Sequence, residues 1–300
     1  MADASHVHGA FGLRIGASFP IPALRTATGT PDILITRSVG DGDGARCEQA
    51  DWGVDGTSVR FDMGGGLRFT VEDGARIHVV AAPATHERDL LTWLTGPVLG
   101  AALIQRGMLV VHGNAVVFGG GEAAAMVGEA GAGKSTTVAA LQAAGLEPLA
   151  DDLLAIDFGA DGAPIAWPGI PRVKLTRASA DALSIDVEKV PFVGAGMHKH
   201  EVPLNGNGDW DRPFPLTRLY VLEKGPLGFE RLTGQRAGAA LLDNLFWLDA
   251  QAQLPGEGAR FVKAMRLAAS ADCFAYRRPF DLARLAESRD ALIEHLGRAP

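Results

Sequence analysis

The stretch that decides the fold is VGEAGAGKSTTVAALQAAGLEPLADD, Val127 to Asp152. Within it, Gly128-Glu129-Ala130-Gly131-Ala132-Gly133-Lys134-Ser135 satisfies G-x-x-x-x-G-K-[ST] at every fixed position. A strand-like run, Ala123 to Val127, precedes it. A helical run from Lys134 to about Ala144, closed by Gly145, follows. Glycines let such a loop curl until successive N–H groups point at phosphate oxygens, and the helix start adds partial positive charge. In this arrangement Lys134 reaches the β- and γ-phosphates, the Ser135 hydroxyl holds Mg²⁺, and residues 128–136, Thr136 included, cradle ATP. A glycine turn that merely caps a helix is the competing reading. The Gly-Lys-Ser ending and the strand–loop–helix setting argue against it.

Asp151 and Asp152 follow Lys134 by 17 and 18 residues, a gap that holds one helix and one short strand, Glu147 to Ala150. A strand returning beside the phosphate-loop strand would bring its C-terminal end to the phosphates. One carboxylate is then placed to accept a proton from an attacking hydroxyl, and the other to hold Mg²⁺. Acids this early are more typical of P-loop kinases than of motor ATPases or GTPases, an analogy at the level of the fold. Aspartates that only cap a turn are the alternative.

Outward from this centre, the chain divides in two. Residues 1–86 read as a β-rich module of short strands, among them PDILITRS, TSVRFDM and RIHVVAA, with a mobile loop expected over Asp41 to Asp51. Residues 87–300 read as an α/β domain with a mixed sheet. It opens with a helix from Glu87 to Gln105, capped by Thr85 and kinked at Pro97. Three strands are expected next, at Met108–Val111, Ala115–Phe118 and Ala123–Val127, the last two joined by the Gly119-Gly120-Gly121 turn. Later helices are expected near Arg236–Leu248, Glu257–Ala271 and Pro279–Leu296.

The whole chain has 300 residues, 47% hydrophobic and 21% charged, enough for a sizeable core and not a disordered composition. The formal net charge of −7 argues against a general nucleic-acid binder. Two distant cysteines, Cys47 and Cys273, exclude a disulfide framework. The longest apolar stretch, Leu90 to Ile104, contains Gly96 and Pro97 and is short for a bilayer span. With no secretory signal evident at the N-terminus, a cytoplasmic protein free of the membrane is expected.

The run VHGNAVVFGGGEAAAMVGEAGAGKSTT with LADD resembles the catalytic domain of HPr kinase/phosphorylase over roughly residues 87–300. The whole-chain layout more closely resembles the HPr-kinase-like proteins encoded beside lasso-peptide biosynthesis genes. The likeness lies in the FGLRI opening, GIPRVKL and PLTRLYVLEKG. The resemblance implies an ATP- and Mg²⁺-dependent serine kinase acting on a peptide or small protein, with the N-terminal module available for acceptor recognition. A homo-oligomer is left open. It implies Asp151 as the base, Asp152 as its acidic partner at the magnesium, and His112 beside the active site. It departs at Thr136, where the family carries a glutamate. HPr itself, a small-molecule hydroxyl, or a nucleotide-switched regulatory role without transfer are the alternatives.

The weaker candidates lie elsewhere. Arg172 and Lys174, two apart on one strand face, are offered as cations for the transferred phosphoryl, Arg172 foremost. His198-Lys199-His200 lacks a third metal ligand nearby and reads as a solvated strand, with Lys199 as an alternative substrate contact. Arg277 and Arg278 read as surface charge.

Overall fold

The computed structural model describes residues 4–45, 51–188, 190, 192–193, 198–204 and 209–297. Cys47 and part of the expected loop at Asp41–Asp51 lie outside the described residues.

The N-terminal part is a sheet of eight strands: β1 (His6–Ala10), β2 (Leu13–Ala17), β3 (Arg25–Thr26), β4 (Ile33–Val39), β5 (Asp51–Asp55), β6 (Ser58–Asp62), β7 (Arg68–Glu72) and β8 (Arg76–Ala81). Their order is β3-β1-β2-β4-β8-β7-β6-β5. Strands β6 to β8 alternate buried and exposed residues, the signature of a sheet with one solvated face.

That buried face meets the helical segment that follows. Helix α1 (Glu87–Trp93) passes through a π turn, Leu94–Val98, into α2 (Leu99–Gln105). The kink falls at Gly96 (φ −118°, ψ −107°), just before Pro97, which has no N–H to continue the helical ladder. The cap is His86, whose ring accepts from the Arg88 N–H, and not Thr85, whose buried hydroxyl finds no partner among the described residues. Leu90, Leu94, Leu99 and Leu103 share one core with Ile15, Phe69, Ile77 and Val79 of the sheet, and with Val110 and Leu153 beyond it. Core side chains thus run across residue 86. Leu99 is fully buried there. Leu99→Ala is expected to cost about 2–5 kcal/mol, read as a lower urea midpoint. A loss under about 1 kcal/mol would show that this helix is not part of the shared core.

Strands β9 (Leu109–Phe118) and β10 (Glu122–Val127) form a hairpin over the glycine turn, and α3 (Lys134–Ala143) follows. The two strands expected at 108–111 and 115–118 are one continuous strand, because the polar residues His112 and Asn114 keep their places in the ladder. Next come β11 (Glu147–Ala150), β12 (Leu153–Phe158), β13 (Pro164–Ala166), β14 (Arg172–Thr176), α4 (Arg177–Ala182) and β15 (Lys199–Pro203). The chain ends with β16 (Phe214–Lys224), β17 (Gly228–Leu232), α5 (Gly234–Leu242), α6 (Leu248–Gln253), α7 (Glu257–Ser270), β18 (Asp272–Arg278) and α8 (Leu285–Gly297).

Two expected helices are shorter than their patterns. The one at Arg236–Leu248 stops at Leu242, and the chain then turns through Trp247, held at a left-handed φ of 54° and stacked on Phe61. The one at Pro279–Leu296 starts late, because Asp281 caps a short 3₁₀ turn at Leu282–Arg284.

The second sheet has mixed strand directions. Strand β10 pairs antiparallel with β9 and parallel with β16, and β16 pairs parallel with β18. The C-terminal ends of β10, β16 and β18 therefore lie at one edge. Strand β11 does not sit beside β10 as expected. It pairs with β9, one strand further out. Both β10 and β11 run antiparallel to β9, so the end of β11 still reaches the same edge. The overall class is mixed α/β. Among the described residues, no helix is long and apolar enough to cross a membrane.

Candidate active site

The glycine loop leaves β10 at Val127 and enters α3 at Lys134. Gly128, Gly131 and Gly133 hold φ values of 144°, 84° and 83°, a region that side-chain-bearing residues rarely enter. A Cβ on Gly128 would lie 2.9 Å from the Leu222 carbonyl oxygen. Among the described residues, no side chain caps the start of α3. Its first N–H groups are thus left for an external acceptor. These features fit a bound phosphate group.

The loop's own side chains are tied back to it. The Lys134 ammonium donates to the carbonyls of Gly128 (2.7 Å) and Glu129 (3.2 Å). Gly128 donates its N–H to Asn244 Oδ1 at 2.7 Å, so the segment after α5 pins the loop. Thr136 donates to Ser179 at 2.9 Å. A cleft of about 350 Å³ opens over the loop, lined by Ala130 to Thr136, His112, Asp152, Lys174, Lys199 and Arg278 among others. A second cavity, about 680 Å³, adjoins its other side, where Gly128 and Glu129 line it.

The acidic pair interrupts the β9 ladder. Strands β11 and β12 pair with β9 on either side of it, so Asp151 and Asp152 lie opposite Asn114 and Gly113. Asp152 takes a left-handed φ of 65°, which turns the two side chains to different surroundings. The Ser135 hydroxyl donates to Asp151 Oδ1 at 2.8 Å, and the Asn114 amide donates to the same oxygen. Oδ2 accepts the Lys174 backbone N–H at 3.1 Å. Asp151 is buried behind Ser135. Asp152 lines the cleft, accepts from the Lys174 ammonium at 2.7 Å, and lies 4.0 Å from His112 Nε2. The two carboxylates are thus separated: Asp151 stands at Ser135, and Asp152 faces the cleft. The cause is the backbone reversal at Asp152.

The electrostatics differ accordingly. Burial first, and the charge of Asp152 second, push the Asp151 carboxyl up to about 7, against hydrogen bonds from Ser135 and Lys174. Burial also pulls Asp152 upward. Lys174, with His112 and Lys199, outweighs it and holds that carboxyl below its ordinary value. Burial and then Lys134 lower the pKa of His112, which favours the neutral ring.

Asp151 binds its proton more tightly in the folded chain than in the unfolded one. Between the ordinary carboxylate value of 3.8 and about 7, its contribution to stability therefore falls as pH rises. The slope is on the order of 1 kcal/mol per pH unit. Urea midpoints at pH 5 and pH 8 should show a steeper loss for the nucleotide-free wild type than for Asp151→Asn. Parallel pH dependence would contradict the assignment.

Arg172 is not brought to the loop. Although it shares a strand face with Lys174, it pairs with Glu201 and donates to the Thr95 hydroxyl at 2.6 Å, at the helical kink. Lys174 takes the place at the acidic pair. His200 is buried against Phe192, with ring centroids 4.1 Å apart, while His198 is exposed. Lys199 lines the cleft. Of the two arginines that end β18, Arg277 pairs with Glu223 and Glu230 as a surface charge would. Arg278 is buried against the loop and not on the surface. The sequence alone does not single out Asn114 or Asn244 at the loop, and it reads Arg278 only as surface charge. The β-hairpin register could have found Asn114, since it sits two residues after His112 on the same strand.

No family model and no curated protein matches the sequence. Among solved structures, the chain is similar to the HPr(Ser) kinase/phosphatase from Coxiella burnetii. The identity is 12% and the TM-score 0.33, over 62% of this chain and 89% of that one.

Proposed function

We propose that this chain is an ATP- and Mg²⁺-dependent kinase that phosphorylates a serine hydroxyl on a peptide or small protein. A ribosomally made precursor peptide of the lasso type is the favoured acceptor. The observation that carries the reading is a carboxylate, Asp152, lining the same cleft as a glycine loop with an uncapped helix start. A loop that only binds nucleotide has no need of it.

Ser135 and Asp151 would hold Mg²⁺, which neutralises charge on the phosphate oxygens when bound. Lys134 stabilises the negative charge on the transferred phosphoryl. Asp152 accepts the acceptor's hydroxyl proton as that oxygen bonds to the γ-phosphorus and the bond to the departing diphosphate oxygen breaks. Lys174 keeps Asp152 ionised and aims it, and neutral His112 borders the same space. The N-terminal sheet is proposed to help recognise the acceptor.

A screen of free hydroxyl compounds tests the acceptor class. The protein should leave free serine and sugars unmodified in the presence of ATP and Mg²⁺. Phosphorylation of free serine at a rate matching that of peptides would replace this reading with a small-molecule kinase.

A further inference from the structure

We infer that Arg278 is a phosphate-binding residue of the cleft, its guanidinium supplying fixed positive charge for the anion held by the glycine loop. The inference rests on the nucleotide reading above. Arg278 ends β18, whose parallel alignment with β16, and through it with β10, delivers the side chain to the loop edge. The residue is only 5% exposed, yet among the described residues no carboxylate pairs with it. A buried charge without a counter-ion is costly, so the site has reason to receive an anion.

The partners it does have belong to the loop and the first turn of α3. One nitrogen donates to the Ala132 carbonyl (2.8 Å) and the Thr137 hydroxyl (3.1 Å). The guanidinium also lies 5.2 Å from the Phe280 ring centroid. Its Nε has no hydrogen-bond partner among the described residues. A Cβ on Gly133 would fall 2.5 Å from the same arginine, so that glycine serves both the turn and the close approach of the cation. The remaining donors of a planar, permanently charged fork suit phosphate oxygens. Burial lowers the pKa of Arg278, consistent with a charge that lacks its counter-ion.

A role confined to bracing the loop predicts something different. Bracing would make the nucleotide-free protein depend on Arg278. An uncompensated buried charge would not, and its removal should leave that protein as stable or more so. The test compares wild type, Arg278→Gln and Arg278→Lys by calorimetric titration with ATP and with inorganic triphosphate, both with Mg²⁺, alongside melting temperatures without ligand. Arg278→Gln should weaken both ligands by about tenfold or more, Arg278→Lys by less, with no fall in the ligand-free melting temperature. Wild-type-like affinities in both variants would overturn the inference and leave the nucleotide reading standing. So would a lowered ligand-free melting temperature in Arg278→Gln, or equal losses in the two variants. Failure of the wild type to bind either ligand would overturn both.

Discussion

Lys134→Ala should abolish phosphoryl transfer and weaken ATP by about 10- to 100-fold, the worth of one charge-assisted contact to phosphate. The ammonium is held at the Gly128 and Glu129 carbonyls, at the end of the loop remote from the helix. It marks the position where the β- and γ-phosphates would lie. Removing it takes away charge that matters most as the phosphoryl detaches, so transfer should fall further than binding, by about a thousandfold or more. Calorimetric titration gives the binding loss, and a coupled assay of ADP release gives the transfer loss. Unchanged ATP affinity would mean that the loop does not receive a triphosphate.

Asp152→Asn should have the opposite signature. Transfer is expected to drop by about 10²- to 10⁴-fold, the range for a lost general base. ATP affinity should hold or rise, because a negative charge has been removed from beside the phosphates. Asparagine is also the substitution best suited to this backbone, since Asp152 sits at a left-handed φ of 65° where Asn is readily accommodated. Loss of the ion pair to Lys174 is shared by any uncharged variant, so Lys174→Met provides the control. A base role requires that Asp152→Asn cost far more than Lys174→Met. Equal losses would reduce Asp152 to an anchor for the lysine.

How far the site was legible depends on how local its signal is. The loop's curl was legible from Gly128 to Ser135, because it rests on left-handed φ values at Gly128, Gly131 and Gly133, whereas its ties to Asn244 and Arg278 come from far along the chain. The helix over 87–105 was legible from its spacing, as was the break near Pro97. The acidic pair was placed at the right edge of the sheet. Which carboxylate meets Ser135 and which lines the cleft was hidden, because that depends on one left-handed residue and on register against β9. Arg172 and Lys174 share a face, and only distant partners separate them: Glu201 and Thr95 claim the first, Asp152 the second. Arg278 sits beside Arg277 in a charged pair that looks solvated. Its burial follows from the parallel alignment of β16 with β18, a long-range fact.

Intact mass spectrometry reads transfer from ATP to a serine on a peptide directly. Purified protein would be incubated with ATP, Mg²⁺ and the precursor peptide encoded nearest to its gene. The peptide should gain the mass of one phosphoryl group, and the gain should vanish with Lys134→Ala and Asp152→Asn. A peptide of unchanged mass after long incubation, with ATP bound throughout, would contradict the kinase reading and point to a nucleotide-binding module without transfer.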